Sequence, residues 1–196
     1  MKRLFDIIAS ALVILLLLPL ELLIALCIVC DSRGGVFFRQ VRVGKDDKDF
    51  NLLKFRTMRI RANEEWASIT VGEDTRITRV GKFLRQYKLD ELPQLINILK
   101  GDMSVVGPRP EVRKYVALYN DQQKRVLLVR PGLTDFASLA YLHESELLAH
   151  SDHPEKTYIE EIMPKKLALN LQYIEKQSAI LDIKLILKTI ISIFRS

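Results

Sequence analysis

One 26-residue stretch, Arg85 to Pro110, decides how the centre of this chain folds: RQYKLDELPQLINILKGDMSVVGPRP. Pro93 suits the first turn of a helix, because the N–H that it lacks would have no partner there. Apolar residues then recur at helical spacing before Gly101, which is a suitable helix stop: Leu92, Leu95, Ile96 and Leu99. We therefore predict a short helix with Asp90 and Glu91 at its positive end, where unpaired N–H groups and the helix dipole favour ionised carboxylates.

The same stretch ends with an arginine between two prolines, Gly107-Pro108-Arg109-Pro110. The fixed φ angles of the prolines stiffen the backbone, so the guanidinium is presented in a defined position. Taken alone, Asp90 is most simply an N-cap, since aspartate is a favoured capping residue. A stiff arginine loop close in sequence to a carboxylate pair favours an anionic ligand such as a phosphate.

These residues resemble the bacterial sugar transferases, the monotopic polyprenol-phosphate phosphoglycosyl transferases, in their small single-domain form. The matching segments, in chain order, are Phe38-Arg39-Gln40, Arg42-Val43-Gly44, Lys54 to Met58, Arg76 to Gly81, Lys88 to Gln94, Lys100 to Ser104, Gly107 to Pro110 and Arg130 to Thr134. The likeness covers nearly the whole chain and weakens after Thr134. Many relatives continue with Gly-x-x-Gln, where this chain has Asp135-Phe136-Ala137-Ser138. This departure leaves the sugar donor open.

The resemblance implies transfer of a phosphosugar from a nucleotide diphosphate sugar, most often UDP-linked, to undecaprenyl phosphate, with release of UMP. It implies Asp90 as the nucleophile of a covalent intermediate, which divides the reaction of two mutually repelling anions into two steps. Glu91 is expected as a second catalytic carboxylate, and Asp90 or Glu91 as a ligand of Mg²⁺. Lys54, which the resemblance favours as an active-site residue, and Arg56 alternate on one face of a predicted strand, so both could point at one anion. Together with Arg85 and Arg109 they are the expected phosphate-binding residues. Such a reaction begins glycoconjugate or polysaccharide assembly, and the sequence does not choose the pathway.

The N-terminal segment from Ala11 to Cys30, ALVILLLLPLELLIALCIVC, has Glu21 as its only charge. About twenty apolar residues can cross a bilayer as a straight helix. Pro19 and Glu21 argue against a straight crossing, because proline bends a helix and a carboxylate inside a membrane is costly. We therefore predict, as the resemblance also implies, that residues 1–32 form a re-entrant membrane helix broken at Pro19. A single transmembrane span is the alternative.

Residues 33–196 are expected to form one cytoplasmic, membrane-associated catalytic domain. Both termini would then lie on the cytoplasmic face of the bacterial inner membrane. The net charge of +6 predicts an anionic partner, which a nucleotide diphosphate, a lipid phosphate or lipid headgroups would satisfy. Nucleic acid is not expected, since no helix-turn-helix, zinc or aromatic RNA-binding pattern is visible. A membrane-tethered nucleic-acid-binding protein and a non-catalytic scaffold remain the alternatives, and a homodimer is one option for the oligomeric state.

The remaining patterns predict a helix-dominated α+β fold, with a small β-hairpin and amphipathic interfacial helices around the compact domain. The hairpin is predicted from Val36 to Val43 and from Phe50 to Met58, with turn residues between. Ile77 to Tyr87 is expected to be helical, with basic residues that either face solvent or contact phosphates. The tail from Pro164 is predicted to be helical with a soft break near Ser178. Its last part, Leu181 to Phe194, fits a helix in the membrane interface and a helix packed on the core equally well.

Overall fold

The computed structural model describes residues 2–59, 74–142 and 144–195, without the side chains of residues 194 and 195. It confirms the helix-dominated α+β fold. The α-helices are α1 (Lys2–Asp31), α2 (Arg79–Gln86), α3 (Gln94–Lys100), α4 (Arg113–Val116), α5 (Phe136–Ala140), α6 (Glu144–Ala149), α7 (Pro154–Thr157), α8 (Met163–Lys176) and α9 (Ala179–Arg195). The strands are β1 (Phe37–Val43), β2 (Asp49–Phe55), β3 (Ser104–Val106) and β4 (Gly132–Thr134). Three 3₁₀ turns (Lys45–Asp47, Leu89–Glu91, Gln123–Leu128) and a π-helical turn (Tyr158–Ile162) complete the described elements.

The predicted hairpin is confirmed as the antiparallel pair β1 and β2, with Val43 opposite Asp49 next to the turn. Asp46 and Asp47 adopt the left-handed conformation in the turn, which aspartate tolerates better than most residues. Leu52 and Phe55 of β2 are buried, and they belong to two neighbouring core clusters. The hairpin therefore packs with one face on the helices around Asp90.

Strands β3 and β4 form a short parallel pair that the sequence patterns did not predict. Gly132 N–H donates to the Pro108 carbonyl at 2.9 Å, and Gly107 N–H donates to the Thr134 carbonyl at 3.0 Å. A Cβ atom on Gly132 would lie 2.1 Å from the backbone nitrogen of Gly107, so a side chain cannot be accommodated there. The two backbones are in direct contact at the start of the arginine loop.

Helix α1 contacts the rest of the protein near both of its ends. Near its start, Asp6 is buried and accepts hydrogen bonds from the Ser104 hydroxyl at 2.9 Å and the Val105 N–H at 3.2 Å. Near its end, Ile28 packs in a cluster with Phe55 and Leu84. Most leucines of the middle are exposed, and among the described residues α1 is long and apolar enough to cross a membrane, judged by length and composition.

The helix is continuous through Pro19. Pro19 therefore does not end the helix, and the re-entrant path stays a prediction.

The C-terminal tail is confirmed as two helices, α8 and α9, that are separated at Gln177 and Ser178. Leu185 of α9 is buried with Val106 and Tyr173, so one face of α9 packs on the core. Another set of its apolar side chains is exposed: Ile180, Ile183, Leu187, Ile190 and Ile191. The core-packed alternative is thus confirmed for one face, and contact of the second face with a membrane stays a prediction.

Candidate active site

Asp90 and Glu91 lie in a 3₁₀ turn, Leu89–Glu91, between α2 and α3. The turn begins after Lys88, which is left-handed with φ 54°. The short helix predicted after Pro93 is confirmed from Gln94, and Gly101 ends it with φ 100°. The expected apolar face is wrong at its last position, because Ile98 is buried and Leu99 is exposed.

The carboxylate of Glu91 joins two cations from distant parts of the chain. Arg109 donates from Nη2 to Oε1 at 2.5 Å and from Nη1 to Oε2 at 3.3 Å. Lys54 Nζ lies 2.8 Å from Oε1. Burial alone would raise the pKa of Glu91, but Arg109 and Lys54 hold that pKa well below its usual range. Glu91 is therefore ionised and fixed between the two cations.

Asp90 lies beside this cluster in a different environment. It is 7% exposed, and its ion-pair partner among the described residues is Lys54, whose Nζ is 3.8 Å from Oδ2. Burial raises the pKa of Asp90, while Lys54 opposes that shift. Its carboxylate accepts no hydrogen bond from the described side chains and backbone, so its oxygens can react or bind a ligand.

Two further contacts position the cluster. Asn97 of α3 accepts a hydrogen bond from Leu53 N–H at 3.0 Å and donates to the Asn51 carbonyl at 2.8 Å, which joins α3 to β2 and so to Lys54. Arg42 of β1 donates to the Pro110 carbonyl at 3.2 Å. Sequence reasoning missed the role of Asn97. A polar residue among apolar ones within a short helix is the signal that could have found it.

The other two arginines predicted to bind substrate differ in position. Arg85 donates from Nε to the Thr57 hydroxyl at 2.9 Å. Burial lowers the pKa of Arg85, and the negative charge of Asp90 raises it. Arg85 is therefore close enough to Asp90 for the two charges to interact. Arg56 is buried and donates to the carbonyls of Ser32 and Arg33 after α1, at 2.7 and 2.5 Å. The structure brings Lys54 and Arg109 together at Glu91 and directs Arg56 elsewhere.

The donor atoms of the site fit Mg²⁺ by their chemistry. Mg²⁺ is commonly held by one or two carboxylates, with water and substrate phosphates as the remaining ligands. Asp90 offers carboxylate oxygens without hydrogen-bond donors among the described residues, whereas both Glu91 oxygens are occupied by Arg109 or Lys54. No group of three or more His, Cys, Asp or Glu side chains within the described residues is arranged to hold a metal ion. Asp90 is therefore the better candidate ligand.

Comparison with known proteins identifies the family of the chain. A family model described as bacterial sugar transferase matches residues 1–196. A UDP-glucose:undecaprenyl-phosphate glucose-1-phosphate transferase from Klebsiella pneumoniae is 39% identical over 193 residues, covering 96% of this chain and 39% of its own length. A protein of the same name from Caulobacter vibrioides is 37% identical over 195 residues, covering 98% of this chain and 69% of its own length.

A third relative has a different sugar in its name. The UDP-N-acetylgalactosamine-undecaprenyl-phosphate N-acetylgalactosaminephosphotransferase of Aeromonas hydrophila is 37% identical over 192 residues, or 96% of this chain and 42% of its own length. The chain thus spans about two fifths of the Klebsiella and Aeromonas proteins.

Proposed function

The chain belongs to the bacterial sugar transferase family, and from this premise we propose that it transfers a phosphosugar from a UDP-sugar to undecaprenyl phosphate and releases UMP. The observation that carries the proposal is Asp90, a buried carboxylate with free oxygens beside two cations that converge on Glu91. The names of the relatives contain UDP-glucose and UDP-N-acetylgalactosamine, so the proposal concerns UDP-sugars as a class.

In the first step, an Asp90 oxygen attacks the phosphorus next to the sugar. The bond from this phosphorus to the bridging oxygen of the diphosphate breaks, and the bridging oxygen leaves with UMP. The phosphosugar is then held on Asp90 as an acyl phosphate. In the second step, a phosphate oxygen of undecaprenyl phosphate attacks the same phosphorus, and the Asp90 carboxylate is restored.

Arg109 and Lys54 supply the positive charge for the phosphoryl oxygens. Arg109 can bind two oxygens with its planar fork, and Lys54 acts as a point charge. Arg109 Nη2 and Lys54 Nζ lie 2.5 and 2.8 Å from the same oxygen, Oε1 of Glu91. Glu91 therefore fixes both cations before the substrate binds. Groups that are fixed in advance stabilise developing charge without reorganisation during the reaction. We assign this positioning role to Glu91.

Mg²⁺ would be held by Asp90, and by Glu91 if substrate phosphates replace its contacts with the cations. When bound, the ion would offset the negative charge of the diphosphate. Arg85, which lies near enough to Asp90 to influence its charge state, would add to the positive field around the phosphates.

Several contacts support a membrane helix whose ends both lie on the side of the catalytic domain. Arg3 donates to the Ile98 and Leu99 carbonyls of α3 at 2.6 and 3.0 Å. Asp31, at the other end of α1, accepts from Val80 N–H at 3.0 Å. These contacts of residues 33–196 with both ends of residues 1–32 support a path in which both ends stay on one side of the bilayer.

We therefore propose a re-entrant helix with both termini on the cytoplasmic face of the inner membrane. Lys2 of α1 pairs with Asp182 of α9, so the two helices are joined near the start of each. We expect α9 to lie in the membrane interface on the same face, with its exposed isoleucines and Leu187 towards the lipid.

A direct test is UMP release by the detergent-purified full chain, given Mg²⁺, undecaprenyl phosphate and a panel of UDP-sugars. We expect release with at least one donor and none from the Asp90→Asn variant. Release that is unchanged in Asp90→Asn would exclude this nucleophile, and folded wild-type protein that is silent with every donor would contradict the proposed reaction.

A further inference from the structure

Asp135 follows β4 directly and is fully buried, although it carries a carboxylate. Its Oδ2 accepts a hydrogen bond from Arg109 N–H at 3.0 Å, and its Oδ1 accepts one from Ser138 N–H at 2.5 Å. We propose that Asp135 is a positioning residue for phosphosugar transfer, which holds the backbone of Arg109 so that its guanidinium reaches Glu91 beside Asp90. This inference rests on the proposed function.

The composition of the arginine loop makes this contact important. Pro108 and Pro110 have no N–H, so Arg109 has the only backbone donor between positions 108 and 110. That donor is bound by Asp135. The backbone bonds from β4 hold Gly107 and, through Gly132 N–H, the Pro108 carbonyl, which belongs to the same peptide as the Arg109 N–H. Gly132 and Asp135 thus hold the two polar groups of the peptide from which the Arg109 side chain extends, and Asp135 supplies the side-chain contact.

The negative charge of Asp135 stabilises the charged form of Arg109, in addition to the hydrogen bond that Asp135 accepts from the Arg109 N–H. The pKa of Arg109 is raised chiefly by Glu91, against the effect of burial, and Asp135 adds to that increase. A buried carboxylate is costly unless hydrogen bonds compensate it, and Asp135 receives two from backbone groups. Its carboxylate has two acceptor oxygens, one for the loop and one for α5.

A simpler role would be that Asp135 only caps α5. Serine is as good an N-cap as aspartate, but it has one short hydroxyl and cannot serve both donors. Asp135→Ser therefore keeps the cap and removes the contact with Arg109. Asp135→Asn, which keeps the size of the side chain, would present an amide N–H₂ to one of the two donors and serves as the second variant.

Ser138→Ala is the matched control. The Ser138 hydroxyl is buried and has no hydrogen-bond partner among the described residues, and this change leaves the Ser138 N–H and Asp135 in place.

The test combines hydrogen–deuterium exchange with kinetics on the full chain in detergent. For Asp135→Ser we expect faster exchange of the Arg109 amide by about tenfold or more, unchanged exchange in α5, and a kcat/KM for UMP release lowered about tenfold. Ser138→Ala should behave as wild type in both measurements. In an Arg109→Ala background, Asp135→Ser should lower kcat/KM no further, because it acts through Arg109.

Wild-type exchange at Arg109 together with wild-type kcat/KM in Asp135→Ser would overturn the proposal and leave Asp135 as a helix cap. The same kinetic loss in the Arg109→Ala background would also overturn it. If Asp135→Ser does not fold, Asp135→Asn is measured in the same way. Failure of the proposed function would be seen separately, as wild-type protein without UMP release, and the exchange measurement would still decide whether Asp135 holds the loop.

Discussion

Asp90 and Glu91 are neighbours in sequence, yet their surroundings move their pKa values in opposite directions. Arg109 and Lys54 overcome the burial of Glu91 and keep its pKa low, whereas burial dominates at Asp90 and raises its pKa. Two carboxylates with pKa values pushed apart commonly have different tasks in an active site. This difference supports the proposed roles, which are nucleophilic attack by Asp90, as the family resemblance implies, and the holding of Arg109 and Lys54 by Glu91.

The raised pKa of Asp90 predicts that Asp90→Asn stabilises the protein while removing its activity. The pKa of Asp90 in the folded state is above its ordinary value of 3.8. The neutral carboxyl therefore stabilises the folded state fully only at a pH below that ordinary value. That contribution is lost as the pH rises through the folded-state pKa, whereas asparagine stays neutral. We expect the Tm of Asp90→Asn to exceed that of wild type by about 2–4 °C at pH 7, with the difference closing towards pH 3.

Thermal unfolding followed by circular dichroism across this pH range measures the difference. Asp121→Asn is the control, because its carboxylate is exposed on the surface, where it pairs with Lys124. A lower Tm for Asp90→Asn at neutral pH would show that the Asp90 carboxylate stabilises the fold.

Arg109→Lys keeps the charge and removes the planar fork that contacts both oxygens of Glu91. We expect kcat/KM for UMP release to fall about 100-fold, with little change in Tm. Arg113→Lys is the matched control, since Arg113 pairs with Asp47 and Asp49 on the surface of the hairpin and should retain wild-type kinetics. Equal kinetics for the two variants would mean that the fork of Arg109 is not needed.

At the level of the elements, Arg56 lies apart from the two cations that meet at Glu91. Lys54 and Arg56 alternate in sequence, so they were expected to face one anion, but β2 ends at Phe55 and Arg56 turns to the carbonyls after α1. Period-two alternation holds only while the strand continues. The geometry therefore favours a role for Arg56 in fixing the end of the N-terminal helix.

Arg56→Gln should lower the free energy of unfolding by about 2–3 kcal/mol, because hydrogen bonds from a buried charged group to two carbonyls are lost. The KM for the donor should stay within about twofold of wild type, since the Arg56 guanidinium is bound to the carbonyls of Ser32 and Arg33 and not to Glu91. Lys54→Gln is the matched comparison and should affect kinetics more than stability. Steady-state kinetics and chemical denaturation of both variants measure the two effects. A raised KM with unchanged stability in Arg56→Gln would show that Arg56 binds substrate.

The path of α1 can be tested at Pro19. With Cys27 and Cys30 replaced by serine and a reporter introduced as Leu4→Cys, a membrane-impermeant maleimide should label only from the cytoplasmic side. We expect Pro19→Leu to straighten the helix and move the reporter to the other side of the membrane. A reporter that stays cytoplasmic in Pro19→Leu would show that contacts such as those of Arg3 and Asp6, rather than the proline, set the path.

The elements differ in how far their sequences predicted them. The hairpin, the helix before Asp90 and the break between α8 and α9 all follow from local patterns of apolar, turn and helix-stop residues. The pairing of β3 with β4 does not, because each strand has three residues and their partners lie far apart in the chain. Without that pairing, the contact between Asp135 and Arg109 could not be foreseen from the sequence.

At the scale of the whole molecule, the site is assembled from segments that meet only in the folded chain. Lys54 comes from β2, the two carboxylates from the turn before α3, and Arg109 from the loop that β4 supports. Helix α1 contacts that assembly through α3 and β3 near its start and through α2 near its end. The proposed membrane helix and the candidate active site are therefore parts of one packed structure.

In the proposed reaction, Asp90 carries the phosphosugar between the two substrates. Mass spectrometry of the full chain, given Mg²⁺ and an active UDP-sugar but no undecaprenyl phosphate, tests it most directly. We predict about one equivalent of UMP per enzyme and the mass of a phosphosugar on the peptide containing Asp90, both absent in Asp90→Asn. Adding undecaprenyl phosphate should remove the adduct. Enzyme that turns over with both substrates, yet releases no UMP and gains no mass without the acceptor, would contradict the account.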